Sequence, residues 1–260
     1  MNEKPFAKSS RRSFCSEYSG GFTLVELLVA IAVISILVAL LMPALGHAKA
    51  KSKQTVCLNN LAQIAKGVHL YAGDFGDILF AVSNPPPHSV LPAYYEWTAY
   101  VPLTRNYVGL KGSPSPDDTL FACPMDTFYY DRTGFGKGAH FEARFNFSSY
   151  AFNAGNAVFQ DRSRPFPGMF PGIMGTKSTS IVHADKTVLV AEFPAFDAFS
   201  WHQPSAGHEQ FNDAQNLISF VDGHVSYTKM YYGSNNPSQI RQQPLAFNPP
   251  PGYKYKWSGD

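Results

Sequence analysis

The longest apolar run of the chain lies near its N-terminus and extends from Phe22 to Leu45. It contains a single ionisable side chain, Glu26. A helix of about 20 apolar residues is long enough to cross a bilayer, so the run predicts a transmembrane helix. A carboxylate inside such a span is costly in lipid and indicates a functional role for Glu26.

A second pattern follows the apolar run, with apolar residues spaced three and four positions apart, as on one face of a helix. Polar residues occupy mostly the other faces, and glycines with aspartates end the pattern near residue 75. We predict one helix within residues 22–75, from about Phe22 to about Tyr71. Its first part, about 22–45, lies in the membrane, and its second part packs on a domain through Leu58, Leu61, Ile64, Ala65, Val68, Tyr71 and Ala72.

The strand signals lie in the second half of a globular region that we assign to residues 76–232. Residues 187–193, TVLVAEF, are mostly apolar and are typical of a buried strand. Two alternating runs then flank Asp222-Gly223, which predicts a hairpin with a type I′ turn. Residues 233–260 lack periodicity, and we expect them to form an irregular, loosely held tail.

The residues around the start of the apolar run form a recognisable motif. A leader with four basic residues ends in Gly20-Gly21, Phe22 follows, and Glu26 is the fifth residue after the diglycine. This arrangement resembles the type IV prepilin signature. The resemblance implies that prepilin peptidase removes residues 1–21 by cutting after Gly21 and then methylates the amino group of Phe22.

The signature also suggests a role for the carboxylate. Glu26 and the new terminus of Phe22 are four positions apart and lie on one helix face. In a filament, Glu26 of one subunit pairs with the Phe22 amine of its neighbour, which replaces two isolated charges by a pair.

Further fragments resemble a family of large pseudopilins. They are residues 57–80, residues 121–126, residues 149–153 and the C-terminal segment. The resemblance implies an α+β, pilin-like fold in which a long N-terminal helix packs on an antiparallel β-sheet domain.

Two other interpretations of the N-terminus are an ordinary signal peptide and an uncleaved signal anchor. The small residues at 46–48 offer a possible cleavage site, but the apolar core of a signal peptide is about 7 to 15 residues. Neither interpretation explains the motif from Gly20 to Glu26.

Composition and charge restrict the partners of the chain. The leader holds four of the 21 basic and two of the 19 acidic residues, so the remaining chain has 17 of each. No basic stripe is present, and we expect no nucleic-acid partner. The chain also lacks a nucleophile elbow, a Walker loop and a dinucleotide fingerprint, so we expect no enzymatic activity.

Of three cysteines, Cys15 lies in the leader, and Cys57 and Cys123 remain. In an oxidising compartment this pair is a disulfide candidate, which would tie the long helix to the globular domain. The alternative is two buried free thiols that behave as small apolar residues.

The C-terminal motif of the pseudopilin family is a histidine followed by nine residues and Asp-Gly. Here Asp222-Gly223 is present, but Asn212 stands at the histidine position. A structural turn explains Asp-Gly, so we expect no cofactor. The alternatives are calcium held by Asp213 and Asp222 and zinc held by some of the scattered histidines, which are His183, His202, His208 and His224.

The sequence predicts a pseudopilin-like structural subunit of a type II secretion or type IV pilus-like filament. Its expected partners are prepilin peptidase and other pilin or pseudopilin subunits. It would cross the inner membrane once, with the C-terminal domain in the periplasm or at the cell surface. The rival hypothesis is a membrane-anchored binding or enzymatic domain that uses the prepilin segment only as an anchor.

Overall fold

A computed structural model describes the main elements of the chain. The described residues are 21–80, 97–126, 139–154, 172–196, 199–203, 211–233 and 248–260. The predicted leader up to residue 20, His208 and residues 234–247 of the predicted tail lie outside them. The chain divides into two compact units, residues 1–48 and residues 49–260.

The long helix α1 extends from Leu24 to Asp74 and continues through Pro43. Within the described residues, α1 is the one helix long and apolar enough to cross a membrane. In the unit of residues 1–48, every described residue is exposed. These include the large apolar side chains of the run that begins at Phe22.

In the second unit, α1 presents one apolar face to a protein core. Leu61, Ile64 and Val68 are fully buried, as their spacing predicts. Leu58 was expected on this face but is 37 % exposed, and Cys57 takes the buried position. The short helix α2, Tyr100–Thr104, continues into a 3-10 helix, Arg105–Val108, which approaches α1 closely at a glycine. A Cβ at Gly67 would lie 2.6 Å from Val108 Cγ1, so a larger residue there would force the neighbour to move.

The core of the second unit rests on a four-stranded antiparallel sheet with strands in sequence order. The strands are β1 (Tyr150–Phe152), β2 (Val188–Glu192), β3 (Gln215–Phe220) and β4 (Val225–Lys229). Strand β2 is buried along its whole length, as its mostly apolar sequence predicts. The long N-terminal helix and this sheet confirm the expected α+β, pilin-like architecture.

The end of the chain is bound to the sheet, which corrects the expectation of a loose tail for residues 248–260. Trp257 is fully buried and Tyr255 is 2 % exposed. Val188 N–H donates to the Lys256 carbonyl over 2.9 Å, and the Asn153 side-chain amide donates to the Trp257 carbonyl over 2.8 Å. The buried rings of Tyr255 and Trp257 and the hydrogen bonds from Val188 and Asn153 therefore hold this segment on the sheet, although its sequence has no regular hydrophobic period.

Candidate functional site

The first turn of α1 contains a reciprocal pair of hydrogen bonds between Thr23 and Glu26. The Thr23 N–H and hydroxyl both donate to Glu26 Oε2, over 2.9 and 2.8 Å, and the Glu26 N–H donates to Thr23 Oγ1 over 3.2 Å. This is a capping box, in which side chains satisfy backbone donors that a helix start leaves free. The Thr-x-x-Glu spacing carries this signal, which the sequence analysis missed. Glu26 therefore has a role inside its own helix, besides any role between subunits.

Behind the capping box, α1 exposes an uninterrupted apolar surface. Leu24, Leu40 and Leu45 are each 70 % exposed or more. Exposed apolar surface on this scale marks contact with lipid or with other proteins. The carboxylate of Glu26 therefore lies at the start of this helix. Apart from Ser35 and Pro43, residues 27–45 then offer only apolar side chains for contact.

Cys57 and Cys123 form a disulfide in the structure, with their Cα atoms 5.2 Å apart. The bond joins α1 to the segment that follows a short 3-10 helix, Thr119–Phe121. One turn further along α1, the buried Asn60 side chain donates to the carbonyls of Thr119 and Ala122, each over 3.1 Å. Asn60 is thus a polar residue on the buried face of α1, and it binds the same segment that the disulfide joins to the helix.

A buried polar cluster lies beside the disulfide, and the sequence did not mark it as a unit. Glu192, at the end of β2, is 0 % exposed. Its Oε1 lies 2.7 Å from His202 Nε2 and 3.5 Å from Cys123 Sγ, and its Oε2 accepts the Leu217 N–H over 2.9 Å. A buried carboxylate requires such partners, because the loss of hydration is costly.

A second carboxylate, Asp126, lies near this cluster. Burial, with a further contribution from the charge of Glu192, raises the pKa of Asp126 to about 6, although the Ser149 hydroxyl donates to it over 2.8 Å. Burial and the Glu192 charge also raise the pKa of Tyr150 well above its usual value. The electrostatics around Glu192 therefore disfavour further negative charge.

The structure does not bring Asp213 and Asp222 together, which corrects the calcium hypothesis based on this pair. They flank opposite ends of the six-residue strand β3, which at about 3.3 Å per residue is about 16 Å long. Asp213 Oδ1 accepts the Tyr253 hydroxyl over 2.5 Å. Asp222 Oδ1 lies 2.6 Å from His224 Nδ1 and accepts the His224 N–H over 3.0 Å. Each carboxylate thus has its own local partner.

The turn between β3 and β4 differs from the expected type I′ turn. Phe220 N–H donates to the His224 carbonyl, and Gly223 N–H donates to the Phe220 carbonyl, each over 2.9 Å. Gly223 has a φ of 91°, whereas Asp222 is not among the residues with positive φ. The hairpin therefore has a three-residue loop, Val221 to Gly223, with glycine at the left-handed position.

We expect Gly223→Val to destabilise the second unit by about 1 to 3 kcal/mol, because a β-branched residue is strained at positive φ. Asp222→Asn should have little effect, since an amide oxygen can still accept the His224 N–H. Thermal unfolding of both variants followed by circular dichroism checks this. Equal midpoints for Gly223→Val and the wild type would contradict the turn assignment.

Comparison with known proteins identifies the N-terminal segment. Residues 18–42 match the family model described as the prokaryotic N-terminal methylation motif. The match includes the diglycine, Phe22, the capping box and most of the apolar run. The chain thus carries a prepilin-type segment, and this motif supports a pilin-like or pseudopilin-like protein. Neither the curated proteins nor the solved structures contain a significant match to the chain.

The long apolar helix and the motif together fit a single-pass membrane anchor. The motif also points to a structural subunit, and it covers residues 18–42 only. Any function of the second unit is therefore inferred from the residues of that unit.

Proposed function

We propose that the chain is a pseudopilin-like structural subunit of a type II secretion or type IV pilus-like filament. Prepilin peptidase cuts after Gly21 and methylates the amino group of Phe22. The subunit stays in the inner membrane through α1, with residues 49–260 in the periplasm or at the cell surface, and then joins other pilin-type subunits.

The observation that carries this proposal is the combination of the matched motif with the exposed apolar surface behind it. A simple anchor requires an apolar helix but no carboxylate at a fixed distance from a cleavage site. In a bundle of such helices, the apolar surfaces pack on each other. Glu26 then supplies a negative charge beside the positive amine of a neighbouring Phe22, which makes both charges less costly in the membrane.

The capping box permits a sharper test of Glu26 than alanine does. Glutamine at this position keeps the box, because its amide oxygen can accept the Thr23 N–H, but it removes the charge. We expect Glu26→Gln to be cleaved as the wild type is and to fall at least about tenfold in filaments sheared from cells. Such a loss corresponds to about 1.4 kcal/mol per subunit contact, which is modest for a charge pair in lipid.

Thr23→Ala is the matched control. It removes the hydroxyl that donates to Glu26 Oε2 but keeps the carboxylate and the Thr23 backbone donor. Loss of a helix cap costs about 1 kcal/mol, so we expect near-normal assembly. If Glu26→Gln assembles like the wild type, the charge pair has no role. If Thr23→Ala is as defective as Glu26→Gln, capping rather than charge explains the phenotype.

The rival function, an anchored binding or enzymatic domain, gives a different result in the same experiment. Such a protein would stay with the membranes after shearing, in the wild type as well as in both variants. Wild-type protein in the sheared polymer therefore supports the structural role.

A further inference from the structure

Four side chains with metal-binding atoms meet in the second unit. They are Cys57 on α1, Cys123 after the 3-10 helix, Glu192 at the end of β2 and His202 in the segment after it. Their ligand atoms all lie within 4.8 Å of one another. A tetrahedral zinc ion separates its ligand atoms by about 3.3 to 3.8 Å, so small movements would bring all four atoms to one ion.

The site is closed and holds a fully buried carboxylate, that of Glu192. Cys57 and Glu192 are fully buried, Cys123 is 4 % exposed, and the His202 side chain is 1 % exposed. Within the described part of the chain, Glu192 forms an ion pair with His202. Asp126 adds a second, partly buried carboxylate nearby. Buried charges are normally paired or coordinate metals, and a divalent cation would balance this cluster.

We propose that Cys57, Cys123, Glu192 and His202 form a zinc site that is filled when the two cysteines are thiolates, and that the disulfide is the alternative, oxidised state of the same site. The two states exclude each other, because the same sulfur atoms either bond to one another or bind the ion. The proposal concerns residues 49–260 and is independent of the proposed filament function.

A dithiol is the reductant that converts the disulfide state into the zinc-binding state. Thiol–disulfide exchange transfers two electrons to the Cys57–Cys123 bond and leaves two thiols, while the dithiol becomes a disulfide. Zinc then displaces the two thiol protons. The proton that His202 Nε2 donates to Glu192 Oε1 moves to the other ring nitrogen, Nδ1, so that Nε2 and Glu192 Oε1 both bind the ion. Glu192 Oε2 keeps its hydrogen bond from the Leu217 N–H, which orients the carboxylate.

The donor set selects the metal. Two sulfurs, one imidazole nitrogen and one carboxylate oxygen suit zinc, whose structural sites are four-coordinate and closed. Calcium and magnesium take oxygen ligands, six or more for calcium, and this cluster offers too few. The sequence alone did not reveal the site because the four ligands are 10 to 145 positions apart along the chain.

The test uses the full chain, purified in detergent, with its disulfide intact or reduced by a dithiol that is then removed without oxygen. We expect the reduced protein to bind one equivalent of Zn²⁺ in competition with a chromophoric chelator, and the oxidised protein to bind none. X-ray absorption at the zinc edge should show two sulfur and two nitrogen or oxygen neighbours. Zinc that binds only through other ligands, or no zinc at all in the reduced protein, would overturn the proposal.

Variants separate a four-ligand site from a simple dithiol. His202→Ala should weaken zinc binding at least about tenfold, since even the loss of a residue that only hydrogen-bonds to a metal ligand costs about 10- to 100-fold in affinity. Two variants serve as matched controls. One is His224→Ala, because the His224 side chain is 46 % exposed, and the other is Cys15→Ser in the leader. Both should bind zinc as the wild type does. If His202→Ala and Glu192→Gln also bind like the wild type, the dithiol alone holds the ion and the proposal is wrong. The absorption spectrum of the wild type decides the matter if a variant fails to fold.

Discussion

Trp257→Ala should destabilise the second unit by about 3 to 5 kcal/mol, the usual cost of truncating a fully buried aromatic side chain. Trp257 is 0 % exposed and its ring lies 5.2 Å from that of Phe196 and 5.6 Å from that of Tyr255. Its own carbonyl accepts a hydrogen bond from Asn153, which also donates to the Val188 carbonyl in β2. Loss of the indole would therefore loosen the contact between the chain end and a central strand.

The measurement is denaturant unfolding of the full chain in detergent, followed by the near-ultraviolet circular dichroism of its tyrosines. Lys254→Ala is the matched control, because Lys254 is an exposed residue of the same segment, and surface substitutions usually change stability by less than about 0.5 kcal/mol. If Trp257→Ala and Lys254→Ala unfold at the same denaturant concentration, residues 248–260 are the loose tail that the sequence suggested.

Loss of the Cys57–Cys123 disulfide should have an effect of similar size. The two residues are 66 positions apart, and a cross-link over such a loop restricts the unfolded chain by about 4 kcal/mol in the chain-entropy description. We therefore expect the Cys57→Ala/Cys123→Ala double variant to unfold at a markedly lower denaturant concentration than the oxidised wild type. Both partners are replaced so that no single thiol remains beside Glu192.

A chelator must be present in this experiment, so that no metal replaces the disulfide. Cys15→Ser is the control, because it removes a leader cysteine and should leave the midpoint unchanged. Equal midpoints for the double variant and the oxidised wild type would show that the cross-link does not stabilise the unit. Reduced wild-type protein in chelator should unfold like the double variant, since the Asn60 hydrogen bonds to Thr119 and Ala122 remain in both.

The sequence patterns predicted α1, β2, β3 and β4, whereas β1 and α2 were not predicted. The helix ends at Asp74, within a few residues of the expected end, and β2, β3 and β4 fall on the predicted apolar runs. These features depend on neighbouring residues along the chain, and their signals are therefore present in short stretches of sequence. The predicted type I′ turn was wrong because Asp-Gly also fits a three-residue loop. Which of the two turns forms depends on which backbone groups pair across the hairpin.

The buried polar residues could not be predicted in the same way. Asn60 and Asn153 look like surface residues in the sequence, and Glu192 is the one charged residue of a predicted buried strand. Each is buried with a hydrogen-bond partner from a distant segment. The docking of the chain end has the same origin, since its backbone pairs with residues about 70 positions earlier. Local periodicity carries no information on such contacts.

The mass of the mature chain tests the prepilin assignment most directly. The protein, extracted from membranes or from sheared filaments, should have the intact mass of residues 22–260 plus one methyl group, with the methyl group located on the Phe22 amine by fragmentation. The Gly21–Phe22 bond lies within the matched motif, and cleavage there removes the leader with its four basic residues. A chain that begins at Met1, or near Lys49 after signal-peptidase cleavage, would contradict the assignment.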